Sequence, residues 1–132
     1  MPIRAVAEIE PAITAFARQP NGGLVFPTDS FLRLQQSQVA ELTFRHRLPA
    51  LSTVREFAQE GGLITYGATI NIVDHYRRAA GYIDRILKGA KAGDLPVHGA
   101  DKFTLVINLK TAKAFGLTIP LPLLGLAHEI LE

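Results

Sequence analysis

The segment from Gly61 to Val97, GGLITYGATINIVDHYRRAAGYIDRILKGAKAGDLPV, limits the fold more than any other part of the chain. Two glycines precede a short apolar run, Leu63 to Tyr66, which ends at Gly67. A long amphipathic pattern follows, in which Val73, Tyr76, Ala80, Ile83 and Leu87 recur at steps of three and four and so share one helix face. Thr69 or Asn71 can cap its start, because their short side chains accept from the exposed N–H groups there. Gly89 stands where a left-handed terminating residue is wanted. Asp74 with Arg78, and Asp84 with Lys88, are i,i+4 pairs in the favourable order, each contributing about 0.3–0.5 kcal/mol. The spacing therefore predicts a buried strand, a ligand-accessible loop, and a helix over 71–88 that packs along one side and meets water along the other.

The same unit recurs upstream in shorter form. Pro11 suits the first turn of a helix whose apolar side is Ile13, Phe16 and Ala17, and Gln19-Pro20-Asn21-Gly22-Gly23 ends it. Leu24-Val25-Phe26 is a short apolar run between turn signals, hence a strand. Asp29 or Ser30 can cap a second helix reaching about Arg45, with Leu32, Val39 and Leu42 inward. Ala50 to Thr53 is a weaker strand, and Val54 to Glu60 a short helix. Phe103 to Asn108 is the most β-rich run, Leu109 to Phe115 a helical turn or two, and Leu123 to Leu131 a last amphipathic helix. Strands alternating with helices at this spacing predict an α/β fold, a three-layer parallel sheet with helices on both faces. Four strands are few for a complete doubly wound domain.

Composition removes several function classes. The 132 residues carry 14 basic and 12 acidic side chains, with no basic run interleaved with aromatics, so nucleic acid is not an expected partner. No cysteine is present, which removes disulfides, thiolate metal sites and a cysteine nucleophile. No stretch approaches the ~20 apolar residues of a membrane span, and the N-terminus lacks a signal-type apolar core. His46, His75, His98 and His128 show no metal-ligand pairing. GGLITYG has the order of neither nucleotide-phosphate motif, and no serine lies in a GxSxG elbow. Neither a metal nor a cofactor is expected, and no acid, base or nucleophile constellation supports an enzyme.

Two loops invite a ligand, since solutes bind beyond the carboxyl ends of parallel strands. After one strand, Thr28 and Asp29 offer a hydroxyl and a carboxylate beside a helix start. After another, Tyr66 offers an aromatic face and Gly67 a close backbone approach. Plainer roles compete: Asp29 as a helix cap, Tyr66 as half-buried packing, Gly67 as a turn.

GGLITYG, then YRRAAGYIDRILKGAKAGDLPV, then KFTLVINLKTAKAFGLTIP resemble the C-terminal part of ABC-transporter substrate-binding proteins of the tryptophan/tyrosine-binding type, with GGLVFPTDSF and HRLPALSTVREFAQEGG fitting the same order upstream. The resemblance runs from about Ile9 to Glu132. It implies a periplasmic-binding-protein type I-like lobe (residues 9–66 and 109–132) with elements of an incomplete second lobe (67–108, including the strand 103–108). It also implies a small amino-acid-like or aromatic solute held between lobes, an ABC permease as partner, and no catalysis. Cleft positions carried over are Asp29, Tyr66 and Gly67, with Thr28 a weaker inference.

The family is longer and begins with a signal peptide and a first lobe. From that difference follow a periplasmic or membrane-associated setting in the full-length context, and a cytoplasmic one if Met1 is the natural start. A helix without its sheet exposes an apolar patch, which predicts a homodimer, by exchange of the 71–108 region. The alternative function is a cytoplasmic ligand-sensing domain of the same fold that acts through oligomerisation.

Overall fold

The computed structural model describes residues 3–27, 29–68, 72–99 and 102–132. It divides into two compact units, Met1–Gly67 with Thr104–Glu132, and Ala68–Phe103. After a short 3₁₀ turn the first unit carries α1 (Ile9–Ala17), β1 (Leu24–Phe26), α2 (Ser30–Leu34), α3 (Gln36–Arg45), β2 (Ala50–Ser52), α4 (Glu56–Gln59) and β3 (Ile64–Ala68). The second carries α5 (Ile72–Leu87), after which β4 (Phe103–Asn108), α6 (Leu109–Phe115), α7 (Leu121–Gly125) and β5 (Glu129–Leu131) complete the first.

The strands form one sheet in the order β1-β2-β3-β4-β5. Leu24 pairs with Ala50 and Leu51 with Ile64 in parallel register, and Val106 pairs with Glu129 likewise. Between these blocks the Asn108 N–H donates to the Leu63 carbonyl at 2.9 Å. With the last residue of β4 beside the residue that precedes β3, the two neighbours overlap only if they run in opposite directions. The helix-flanked sheet is thus two parallel blocks joined at one reversed pair. β4, expected with the second group of elements at 67–108, is bonded into the first unit through β5 and Leu63.

Two expected helices divide. The pattern from Ser30 to Arg45 breaks at Gln35 (φ −108°, ψ 14°), whose N–H bonds the Leu32 carbonyl at 3.1 Å. The C-terminal run expected as one helix from Leu123 to Leu131 ends at Gly125, and Glu129–Leu131 is a fifth strand. Its backbone is satisfied by β4, and the His128 N–H reaches the Leu105 carbonyl at 2.9 Å. Three residues carry too little periodicity to signal such pairing locally.

The core of the first unit joins Ile9 and Ile13 of α1, Val39, Ala40 and Leu42 of α3, Leu48 and Ala50 at β2, and Phe57 of α4. The Phe26 and Phe57 rings meet at 5.9 Å between centroids, inclined at 59°. The turn from α4 into β3 depends on its two glycines. Gly61 is left-handed (φ +101°), and a Cβ at Gly62 would stand 2.2 Å from the Phe57 ring. Val106 and Ile107 of β4 are fully buried.

In the second unit, α5 ends at left-handed Gly89 (φ +100°), and the Lys88 ammonium meets the Asp84 carboxylate at 2.8 Å. The capping roles expected of Thr69 or Asn71 lie outside the described residues, as does the Asp74 side chain of the expected Asp74–Arg78 pair. The apolar face expected to pack is open: Tyr76 is 73% and Leu87 82% exposed.

Asn108 fastens the first unit at several points. Its side-chain oxygen accepts from the Thr111 N–H at 2.9 Å, capping α6, and its amide donates to the Ala58 carbonyl at 2.9 Å. Asn108→Ala removes the cap and one donor to the Ala58 carbonyl, which keeps the Gly61 N–H at 3.3 Å, so urea unfolding should show a loss of about 1–3 kcal/mol.

Candidate functional site

Because β1, β2 and β3 run parallel, the loops that follow them leave the sheet at one edge. Thr28 lies outside the described residues; Asp29 and Tyr66-Gly67 flank the segment after β2, since β2 lies between β1 and β3. The loop after β2, Ser52 to Val54, was not singled out by its sequence, which lacks glycine, proline and charge. Only the strand order places it between the other two.

Asp29 is extended (φ −143°, ψ 135°), and its carboxylate accepts from the Leu32 N–H at 2.9 Å. One oxygen thus caps α2 while the carboxylate stays exposed. Capping and ligand contact are compatible here, because a carboxylate has two oxygens and several acceptor positions.

Tyr66 is 50% exposed and follows Thr65, which is 2% exposed, as the alternation of a strand requires. Gly67 has a steric reason to lack a side chain. A Cβ there would lie 2.1 Å from the Thr53 carbonyl oxygen, so the end of β3 abuts the β2 loop only with glycine. The Ser52 hydroxyl accepts from the Val54 N–H at 3.2 Å and holds that loop in a tight turn.

Phe26, Asp29, Arg33, Gln36, Ser52 and Val54 are among the residues that line a recess at this edge. Its room for water is about 10 Å³, enough for about one molecule, whereas solute sites occupy roughly 300–1,000 Å³. The edge is therefore an open surface rather than an enclosure. Arg33, one helical turn after Asp29, adds a cation that the strand-end argument passed over. Among the described residues no three His, Asp or Glu side chains gather as a metal site. His46 bonds Thr14 Oγ1 at 3.3 Å, and His128 Nδ1 accepts from the Leu105 N–H at 3.3 Å.

The family model for ABC transporter substrate binding proteins matches residues 1–131. The chain belongs to this family. Among solved structures, a conserved domain protein from Vibrio cholerae is 23% identical with a TM-score of 0.74, over 94% of this chain and 41% of that one. An ABC domain from Streptococcus pneumoniae in complex with L-Trp is 25% identical with a TM-score of 0.77, over 98% of this chain and 44% of that one. A ligand-free, open substrate-binding protein with adhesive properties from Clostridium difficile is 20% identical with a TM-score of 0.63, over 98% and 42%. No curated protein matches. The chain thus spans less than half the length of these structural relatives. No described helix of this family member is long and apolar enough to cross a membrane.

The cap at Asp29 can be isolated from ligand contact by stability alone. Asp29→Ala should lower unfolding free energy by about 1 kcal/mol in urea titration, while Asp29→Asn, an equally good cap, should stay within a few tenths.

Proposed function

We propose that this chain is the solute-binding component, or the C-terminal portion of one, of an ABC-type importer. Its solute is a small amino-acid-like or aromatic molecule held between lobes, and it catalyses no reaction. The observation that carries this reading is family membership over residues 1–131 together with likeness, over 98% of the chain, to a domain bound to L-Trp. Asp29, Tyr66 and Gly67 are the proposed contacts on this wall of the cleft, with Thr28 a weaker inference from the resemblance. The free oxygen of Asp29 receives the solute ammonium, Tyr66 offers its ring to an aromatic side chain, and Gly67 keeps the backbone edge unobstructed. Arg33 is placed to receive a solute carboxylate. The lobe assignment of 9–66 and 109–132 against elements within 67–108 belongs to the same reading. So do closure of two lobes on the solute, delivery to a permease, and a periplasmic setting for the full-length protein.

Isothermal titration of the protein with L-tryptophan and L-tyrosine tests the reading. Heat that saturates for either solute supports it, and Asp29→Asn should weaken binding about tenfold or more while leaving stability unchanged. Saturable binding that is identical in Asp29→Asn would overturn the site, and no binding of any amino acid would overturn the solute class.

A second reading, a ligand-sensing domain acting through oligomerisation, draws on one observation: Val73, Tyr76, Ile83 and Leu87 on α5 are all more than half exposed. An apolar stripe of this kind favours a homodimer, formed by exchange of the 71–108 region. Light scattering on a size-exclusion column should then give twice the 14.4 kDa chain mass, and Ile83→Lys should return it to one. A single-chain mass at high concentration would remove the dimer.

A further inference from the structure

The second unit carries a basic recess that the solute-binding reading does not use. Arg78, Gly81, Tyr82 and Arg85 lie at i, i+3, i+4 and i+7, a single stripe of α5. Tyr76, Ala80, Ile83 and Leu87 form the apolar stripe on the other side, since a step of two residues turns about 200° around the helix. Whatever covers the apolar stripe therefore leaves the arginine stripe facing away from it.

The chain after α5 folds back along this stripe. The Tyr82 hydroxyl donates to the Pro96 carbonyl, and the Tyr82 and His98 rings lie 6.1 Å apart between centroids at 49°. These contacts raise a wall opposite the helix and border an open recess of about 150 Å³ lined by Arg78, Gly81, Tyr82, Arg85 and His98. On the same measure one water needs about 10–15 Å³, so the recess has room for a small polyatomic ion. Nothing lies within 4 Å of where a Cβ on Gly81 would stand, which keeps its floor open.

The described lining of the recess is basic. No carboxylate is among its described lining residues, and Asp84, the nearest acidic neighbour in sequence, is engaged by Lys88 at 2.8 Å. Arg85 makes no ion pair among the described residues. The Arg85 guanidinium and the His98 imidazole offer N–H donors, the Tyr82 O–H being given to Pro96, and a guanidinium fork matches oxygens held at fixed spacing.

We propose that this recess binds a small oxyanion, with Arg85 as its principal contact. The ligand chemistry is that of two or more oxygens sharing negative charge on one centre, supplied either by phosphate or by a carboxylate. The site is formed wholly by residues 78–98 and does not depend on the proposed solute role. Being open to water, it binds weakly, with a dissociation constant on the order of 1 mM.

Amide shifts of Gly81, Arg85 and His98 in ¹H–¹⁵N NMR spectra, followed during titration with sodium phosphate and separately with sodium acetate at constant ionic strength, test this. Saturating shifts are expected for at least one anion. Phosphate alone would name phosphate as the source, and equal binding of acetate would name a carboxylate. Arg85→Gln keeps a good helix former and should weaken binding about tenfold. Lys110→Gln on α6 removes the same charge and should leave binding unchanged. Shifts that do not saturate, or an equal loss in both variants, would overturn the proposal.

Discussion

Asn108 is the point through which the first unit holds together. It is the last residue of β4, and its backbone N–H, side-chain amide and side-chain oxygen each serve a different neighbour: Leu63 before β3, Ala58 in α4, and Thr111 in α6. Thr111 then returns a bond of 3.0 Å from its hydroxyl to the Gly61 carbonyl. Both side chains are buried, where an unpaired amide costs far more than a hydrogen bond contributes. The turn at Gly61-Gly62, the reversed β3–β4 pair and the start of α6 therefore stand or fall as one arrangement.

That arrangement sets where the chain is free to carry ligands. By fixing β4 against the amino end of β3, it leaves the carboxyl ends of β1, β2 and β3 together at the opposite edge. Gly67 packs against the Thr53 carbonyl there, and Asp29 starts α2 while keeping an oxygen available. The features that build the edge are the same ones proposed to bind. A wall proposed to receive a solute gains from being rigid before the solute arrives, because ordering it later would weaken binding.

The second unit has a different physics. It has one long helix and a return loop, but no described strand apart from the ends of β3 and β4, so its two long faces remain distinct chemical surfaces. One is apolar and calls for a partner surface; the other is basic, with Tyr82 holding the loop that shapes it. Neither surface depends on the other, since they lie on opposite sides of the same cylinder.

Local chemistry in the sequence determined much of this. The 3.6-residue pattern gave α5, a short carboxylate before a helix gave the cap at Asp29, and Gly89 and Gly116 ended helices because L side chains resist positive φ. Family resemblance, legible in motifs from Ile9 onward, was confirmed by the match over residues 1–131. Tertiary structure alone decided the strand direction at β3–β4, the existence of β5, the break at Gln35 and the place of the Ser52–Val54 loop between Asp29 and Tyr66. The reason is common to the three that concern the sheet. Strand pairing and strand order are satisfied by backbone groups that every residue carries, so they leave no mark on side-chain spacing. The convergence of Arg78, Arg85 and His98 was likewise settled by a loop folding back on a helix, a contact between residues that periodicity treats as unrelated.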